Sequence, residues 1–165
     1  MKHVLVFTSF LFFSLIAVAQ SNKEDIELVQ ALFGKDKKQL VEAYMTIPDA
    51  KKSAFWTLYD KYEDSRKALG RERIALIQSY ANAYDTLTDK KAAELMNRKL
   101  VWLNNYTKLQ QTYFTSVSKL IGGKEASKFF QLEDYLENNI RLYIQESIPF
   151  IDELDKTKIK SAGQQ

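Results

Sequence analysis

The chain has 165 residues, with 24 Lys plus Arg, 21 Asp plus Glu, one His and no Cys. This length is typical of a single domain, and the lack of Cys excludes disulfides, thiol nucleophiles and a lipid anchor on an N-terminal Cys. A formal net charge of +3 is too small to indicate a nucleic-acid partner.

Residues 1–19 have the pattern of a secretory signal peptide. Lys2 precedes an apolar run over residues 4–18, which ends at Ala17-Val18-Ala19. A basic start, a short apolar run and an A-x-A ending predict export, with cleavage between Ala19 and Gln20. A membrane span needs about 20 apolar residues. The apolar run is shorter than that and no second candidate follows it, so we expect no membrane span after the signal is removed. Location in the periplasm is expected, or secretion if the cell has one membrane.

Removal of the signal peptide changes the chemistry that is available. The remaining 146 residues have a net charge of +2, and His3, the only His, is lost. Without His or Cys, a chain has no Ser-His-Asp triad, no Cys nucleophile and no His-ligated zinc. The sequence therefore predicts a protein that is not an enzyme and that has no cofactor or metal.

The predicted elements are helical throughout, because no run alternates with period 2. Two short segments, 26–33 and 37–45, precede the first long helix. That helix is expected to begin with Thr46 as its N-cap, Pro48 in the first turn and Asp49 three residues after Thr46. Its apolar residues recur at spacings of three, four and seven up to Leu87.

Two further helices complete the predicted fold. The second long helix starts with Thr88 as N-cap and ends at Gly122-Gly123, and the last helix runs over residues 124–147 before Pro149. We expect one domain over 20–150 and a flexible tail over 151–165. The predicted fold is all-α, a long antiparallel helical hairpin with shorter packed helices, cradle-like in shape. Helices of this length leave apolar surface open to a partner or a second copy.

Trp56 and Trp102 lie one step away from the apolar stripes of the two long helices. They are candidates for a half-exposed apolar surface that binds a client. The alternative interpretation is that both side chains belong to the buried stripe and make it wider. The sequence leaves both alternatives open.

Arg66 and Arg73 fall on the apolar face of the first long helix, at the three- and four-residue spacing of its stripe. A guanidinium group placed there must find an acceptor or reach water along its stem. Glu133 lies on the inner face of the last helix, so we expect it to pair with Arg66 or Arg73 as a structural ion pair. The alternative is that the two arginines form a basic spot on a client-binding surface.

Acidic side chains are numerous, which leaves room for a pair of carboxylates that acts on sugars. Such chemistry needs two carboxyl groups on either side of a cleft. An elongated hairpin offers no obvious cleft, so we expect these groups to lie on solvated helix faces. The candidates are Asp60, Glu63, Asp64, Glu133, Asp134 and Glu137.

Two segments at the starts of the long helices resemble a known motif. They are Met45-Thr46-Ile47-Pro48-Asp49 and Leu87-Thr88-Asp89-Lys90-Lys91, with their Thr residues 42 positions apart. Both resemble the paired LTxxQ motif of the Spy/CpxP family of bacterial periplasmic proteins, with Met in place of Leu in the first copy and no Gln in either. Segments 55–63 and 128–133 resemble stretches of exported relatives of that family.

The resemblance, which covers residues 45–150, implies a cradle-shaped helical dimer that acts as an ATP-independent chaperone for unfolded envelope proteins. Other members of the family regulate envelope-stress sensor kinases, so a regulatory partner of such a system is the alternative function. A third branch senses heavy metals through His and Met ligands. The chain after residue 19 has no His, and Met45 and Met96 are expected to be packing residues. Trp56, Trp102, Arg66 and Arg73 are the candidate client-binding residues.

Overall fold

The structure is a computed structural model, and it describes residues 36–149 and residue 151. This part of the chain forms four α-helices and no strand, which confirms the all-α prediction. The helices are α1 (Lys37–Tyr44), α2 (Asp49–Ala83), α3 (Asp89–Ile121) and α4 (Gly123–Ser147). The predicted signal peptide, segment 26–33 and residues 152–165 of the predicted tail lie outside the described residues.

Helices α2 and α3 form the predicted antiparallel hairpin. Tyr62 packs against Tyr113, whereas Leu69, later in α2, accepts a hydrogen bond from Trp102, earlier in α3. A 3-10 turn over Tyr84–Thr86 joins the two helices. Helices of 35 and 33 residues reach about 50 Å at 1.5 Å per residue. None of the described helices is apolar enough over a sufficient length to cross a membrane.

The predicted N-cap is correct for one of the two hairpin helices and wrong for the other. The Thr88 hydroxyl accepts a hydrogen bond from the Lys91 amide at 3.3 Å, which confirms Thr88 as the N-cap of α3. The prediction for α2 is wrong. The helix begins at Asp49 with Pro48 as its N-cap, and the Thr46 amide donates to Glu125 at 3.2 Å. Thr46 therefore belongs to the connection that ties α1 to the start of α4.

Gly122 turns the chain from α3 into α4. Its φ of 90° lies in the left-handed region, where a side chain would be strained, so glycine is required at this position. The predicted end of the second long helix is therefore confirmed. Helix α4 then returns along the hairpin, with Phe130 against Phe114 and Asp134 bonded to Gln110.

A cluster of aromatic rings forms the core at the end of the hairpin where α4 begins. The Phe129 ring lies 5.8 Å from Phe55 and 5.7 Å from Tyr62, both in edge-to-face geometry, which is the favoured arrangement for aromatic pairs. Val41 and Met45 bring α1 into the same cluster, and both are buried. The short helix thus closes one side of the aromatic core.

Candidate binding site

Next to the aromatic core, four charged side chains and a tyrosine form a buried ion-pair cluster, which we define as Lys37, Tyr62, Glu63, Arg66 and Glu133. The Lys37 ammonium lies 2.5 Å from Glu63 Oε1 and 2.7 Å from Glu133 Oε2. Tyr62 donates its hydroxyl to Glu133 Oε2 at 2.8 Å. Arg66 Nε bonds to Glu63 Oε1 at 3.1 Å. Two cations and two anions therefore balance where three helices meet.

The predicted partner of Glu133 is wrong, although its burial was expected. Lys37, and not Arg66 or Arg73, is the cation that Glu133 meets, while Arg66 pairs with Glu63 and Arg73 with Glu137. Helix α1 places Lys37 between α2 and α4, so its ammonium contacts both Glu63 and Glu133. The ion pair therefore fastens the short helix to the bundle.

Burial and charge move the two carboxyl groups of the cluster in opposite directions. Burial raises the pKa of Glu133 above its ordinary value of 4.5, and Lys37 offsets only part of that effect. Burial acts on Glu63 in the same way, but Lys37 and Arg66 outweigh it and lower the pKa of Glu63. Glu133 is therefore the acid of the pair that takes up a proton first.

The charged cluster leaves little room for a substrate. The adjoining cavity has a volume of about 10 Å³, which is the size of one water molecule. Burial, followed by the neighbouring carboxylates, raises the pKa of the Tyr62 hydroxyl far above its ordinary value of 10.0, so this hydroxyl acts as a hydrogen-bond donor. The geometry therefore serves to hold α1 in place.

A second charged group lies further along the bundle. Arg73 Nη1 contacts Glu137 Oε1 at 2.5 Å, and Arg141 Nε contacts the same oxygen at 3.2 Å. Both guanidinium groups also lie over the Trp102 ring, at 5.4 and 5.6 Å from its centroid. These cation–π contacts favour charged side chains that are partly removed from water.

The expectation that the acidic side chains lie on solvated faces is wrong for three of the six. Glu63, Glu133 and Glu137 are 8, 1 and 6 % exposed. Each of them meets a cation from another part of the bundle or from the next helical turn, which makes burial tolerable. Asp60, Asp64 and Asp134 are exposed as expected. Among the described residues, no group of three or more acidic or His side chains could hold a metal ion.

The two tryptophans differ in burial, because Trp102 is buried and Trp56 is only partly buried. Trp102 is 7 % exposed, and its indole N–H donates to the Leu69 carbonyl at 2.7 Å. Trp56 packs against Phe55 and Tyr59, with the Lys38 ammonium 4.8 Å from the ring centroid. The Trp102 ring therefore widens the buried stripe, while the Trp56 ring packs against the stripe and keeps part of its surface exposed. Arg66 and Arg73 are engaged in ion pairs inside the bundle and form no open basic spot.

Exposed apolar side chains lie instead on the outer face of α3. Met96, Leu100 and Val101 are 52, 53 and 60 % exposed, and we call these three residues the apolar strip. Met45 is buried as expected, but the expectation that Met96 is a packing residue is wrong. Met96 directly follows the buried Leu95, which turns it about 100° away from the core.

The middle of this outer face is uncharged over about three turns, while the charged side chains of Glu94, Arg98 and Lys99 are exposed beside it. Ala93, Asn97 and Asn104 are exposed along the same line as Leu100, at spacings of three and four residues. An open cleft of about 520 Å³ borders the strip at Val101 and lies between α2 and α3. Its other lining residues include Glu72, Leu76, Glu94, Arg98 and Trp102. A helix face that only meets water is normally charged or polar, so this composition is typical of a contact surface.

No protein-family model, curated protein or solved structure matches the chain. The resemblance to the Spy/CpxP family therefore depends on the two motif segments in the sequence.

Sequence reasoning missed both Lys37 and the apolar strip. One signal for the strip was present, because uncharged residues recur at spacings of four, three and four in Ala93, Asn97, Leu100 and Asn104. No local signal identified Lys37, since its partners are 26 and 96 residues away in the chain.

Proposed function

We propose that the chain is an exported, chaperone-like binding protein that shields unfolded or apolar segments of envelope proteins as a homodimer, without ATP. The observation that carries this proposal is the apolar strip on α3, whose three side chains are each more than half exposed. The predicted signal peptide and the resemblance to the Spy/CpxP family support the same function.

The apolar strip suits weak and reversible binding. Complete burial of a Met, Leu or Val side chain contributes about 1.5–3 kcal/mol, and roughly half of each side chain is already covered. The strip therefore contributes about 3 kcal/mol to a contact. A dissociation constant of 1 mM corresponds to about 4 kcal/mol, so a client is held tightly only through several such contacts. Weak contacts of this kind dissociate quickly.

Aggregation suppression tests the proposal directly. The exported chain, residues 20–165, is mixed with an unrelated protein that is unfolding, over a wide range of ratios. We expect suppression near a stoichiometric ratio, and light scattering in the same buffer is expected to give the mass of a dimer. No suppression at any ratio would refute the chaperone function. Specific capture of one envelope sensor domain, without suppression, would replace it with the regulatory alternative.

Two variants locate the binding surface. The triple variant Met96→Ser, Leu100→Ser, Val101→Thr is expected to lose suppression but to keep its stability, because exposed positions change stability by less than about 0.5 kcal/mol. Leu142→Ser is the matched control, since Leu142 is 56 % exposed on α4. Equal suppression by the triple variant and the wild type would show that clients bind elsewhere.

A further inference from the structure

Helix α1 is seated on the bundle through one face. Lys37, Val41 and Met45 are four residues apart, so they lie along the same side. Lys37 reaches the buried carboxylates, Val41 is 0 % exposed and Met45 is 8 % exposed. The opposite side of the helix is exposed, and its residues are Lys38, Gln39, Glu42 and Ala43.

This helix is short enough to leave its seat without unfolding the hairpin. It has eight residues, and an isolated helix of fewer than about 12 residues is marginal in water. Its own support is the Asp36 side chain, which accepts from the Gln39 amide at 2.8 Å. Its stability therefore comes from the contacts made by its buried face.

The surface beneath α1 combines negative charge with aromatic rings. Glu63 and Glu133 lie at one end, and Phe55, Tyr59 and Phe129 belong to the buried cluster that receives Val41 and Met45. Without Lys37, two carboxylates would face one remaining cation of the cluster, Arg66. The vacated surface would then attract a cation at one end and aliphatic side chains along the rest.

We propose that this surface is a binding site for amphipathic helical segments of other proteins that carry a Lys or Arg followed by aliphatic residues four and eight positions later. Helix α1 is its intramolecular occupant and competes with such segments. The inference rests on the proposed binding function and names one class of client. It concerns a different surface from the apolar strip, so failure of this site can be distinguished from failure of the proposed function.

The tether explains why free segments bind weakly to the wild-type chain. An occupant joined through a short connection acts at an effective concentration in the millimolar range. A free segment must exceed that concentration to compete at equal intrinsic affinity. Weakening α1 therefore lowers the concentration at which a free segment occupies the site.

A labelled peptide of residues 36–47 is the probe, and fluorescence anisotropy measures its binding to the exported chain. Val41→Asp in the protein places a charge against the aromatic core and is expected to displace α1. We expect this variant to bind the peptide at least tenfold more tightly than the wild type. Glu42→Gln in the protein is the control, because Glu42 is exposed, and is expected to bind like the wild type.

Two peptide variants test the recognition pattern. Lys37→Gln in the peptide is expected to weaken binding to the Val41→Asp protein at least fivefold, whereas Glu42→Gln in the peptide leaves it unchanged. Equal binding of all three peptides would overturn the role of the basic residue. A folded Val41→Asp protein, checked by circular dichroism, that binds no more tightly than the wild type would overturn the site.

A second protein variant decides the question if Val41→Asp does not fold. Lys37→Gln keeps the apolar contacts of α1 and removes its two bonds to carboxylates. It is expected to bind the peptide at least threefold more tightly than the wild type, and no gain would overturn the site. Wild-type aggregation suppression is measured in parallel. If it persists while the peptide results fail, the site alone is refuted, and if it is absent, the proposed function fails.

Discussion

Replacing Glu133 by leucine removes one acceptor from the buried ion-pair cluster. Glu133 is 1 % exposed and accepts hydrogen bonds from both Lys37 and Tyr62. The substitution leaves two cations, Lys37 and Arg66, with the single carboxylate of Glu63. It also leaves the Tyr62 hydroxyl without that acceptor.

The expected loss of stability follows from this imbalance. Breaking a buried ion pair by removing one partner costs about 3–5 kcal/mol, because the remaining charge is left uncompensated. Lys37 keeps its contact with Glu63 at 2.5 Å, so we expect Glu133→Leu to cost about 3 kcal/mol, near the lower end. For a chain of this size, that loss lowers the melting temperature by about 6–12 °C.

A double-mutant cycle separates the pair from its surroundings. Lys37→Met alone leaves Glu133 buried without its cation and is also expected to cost about 3 kcal/mol. In the double variant Lys37→Met, Glu133→Leu, the Glu63–Arg66 pair at 3.1 Å remains balanced. Because the buried Tyr62 hydroxyl still lacks its acceptor, we expect the double variant to lose about 1–3 kcal/mol. The two single variants together lose about 6 kcal/mol, so the coupling energy is expected to exceed about 2 kcal/mol.

Urea unfolding followed by circular dichroism measures each corner of the cycle. Glu94→Gln is the control, because Glu94 is half exposed and water screens its pair with Lys91 at 2.8 Å, so its loss should leave stability almost unchanged. Additive effects of the two substitutions would refute the argument, as would unchanged thermal stability in both Glu133→Leu and Glu133→Gln.

Two further predictions concern single side chains. Because the pKa of Glu133 is raised, the folded chain binds its proton more readily than the unfolded chain does. The stability advantage of the wild type over Glu133→Gln therefore grows as the pH falls toward 4.5. The lowered pKa of Glu63 has the opposite sign, so the advantage over Glu63→Gln shrinks as pH falls below 4.5. Urea titrations at a series of pH values measure both, and equal slopes would contradict this assignment. Trp102→Phe loses the hydrogen bond to Leu69 and should cost about 1–2 kcal/mol. It should leave aggregation suppression unchanged, because the ring is buried, and lost suppression at unchanged stability would contradict this.

Local signals in the sequence were sufficient for the architecture of the hairpin. Thr88 caps α3 and Gly122 ends it, because a hydroxyl and a flexible backbone act on their immediate neighbours. Thr46 failed as a cap because Pro48 follows it so closely. Proline disfavours helical backbone in the residue before it, so the helix begins only at Asp49.

Contacts between distant segments were beyond the reach of periodicity. The apolar spacing placed Arg66 and Glu133 on inner faces, and both lie there, but spacing carries no information about which helix meets which. Lys37 belongs to a short helix whose position depends on the fold of the whole bundle. Met96 shows a second limit of periodicity. Spacings of three and of four residues both fit an apolar stripe, so spacing alone placed Met96 in the stripe. The helix, however, buries only the residues that neighbouring helices cover, and Met96 is not among them.

The charged attachment of α1 explains why the helix can act as an exchangeable occupant. An apolar side chain at position 37 would hold the helix by contacts that need no partner, and replacing a buried ion pair with apolar residues is often neutral or stabilising. The ion pair with Glu63 and Glu133 instead depends on one ammonium group at one position. A competing segment satisfies the same carboxylates only if it brings a cation at the same place. The ion pair therefore contributes less stability than apolar contacts would, but it makes binding depend on a cation at this position of the bound segment. A purely apolar contact surface would bind segments with or without that cation.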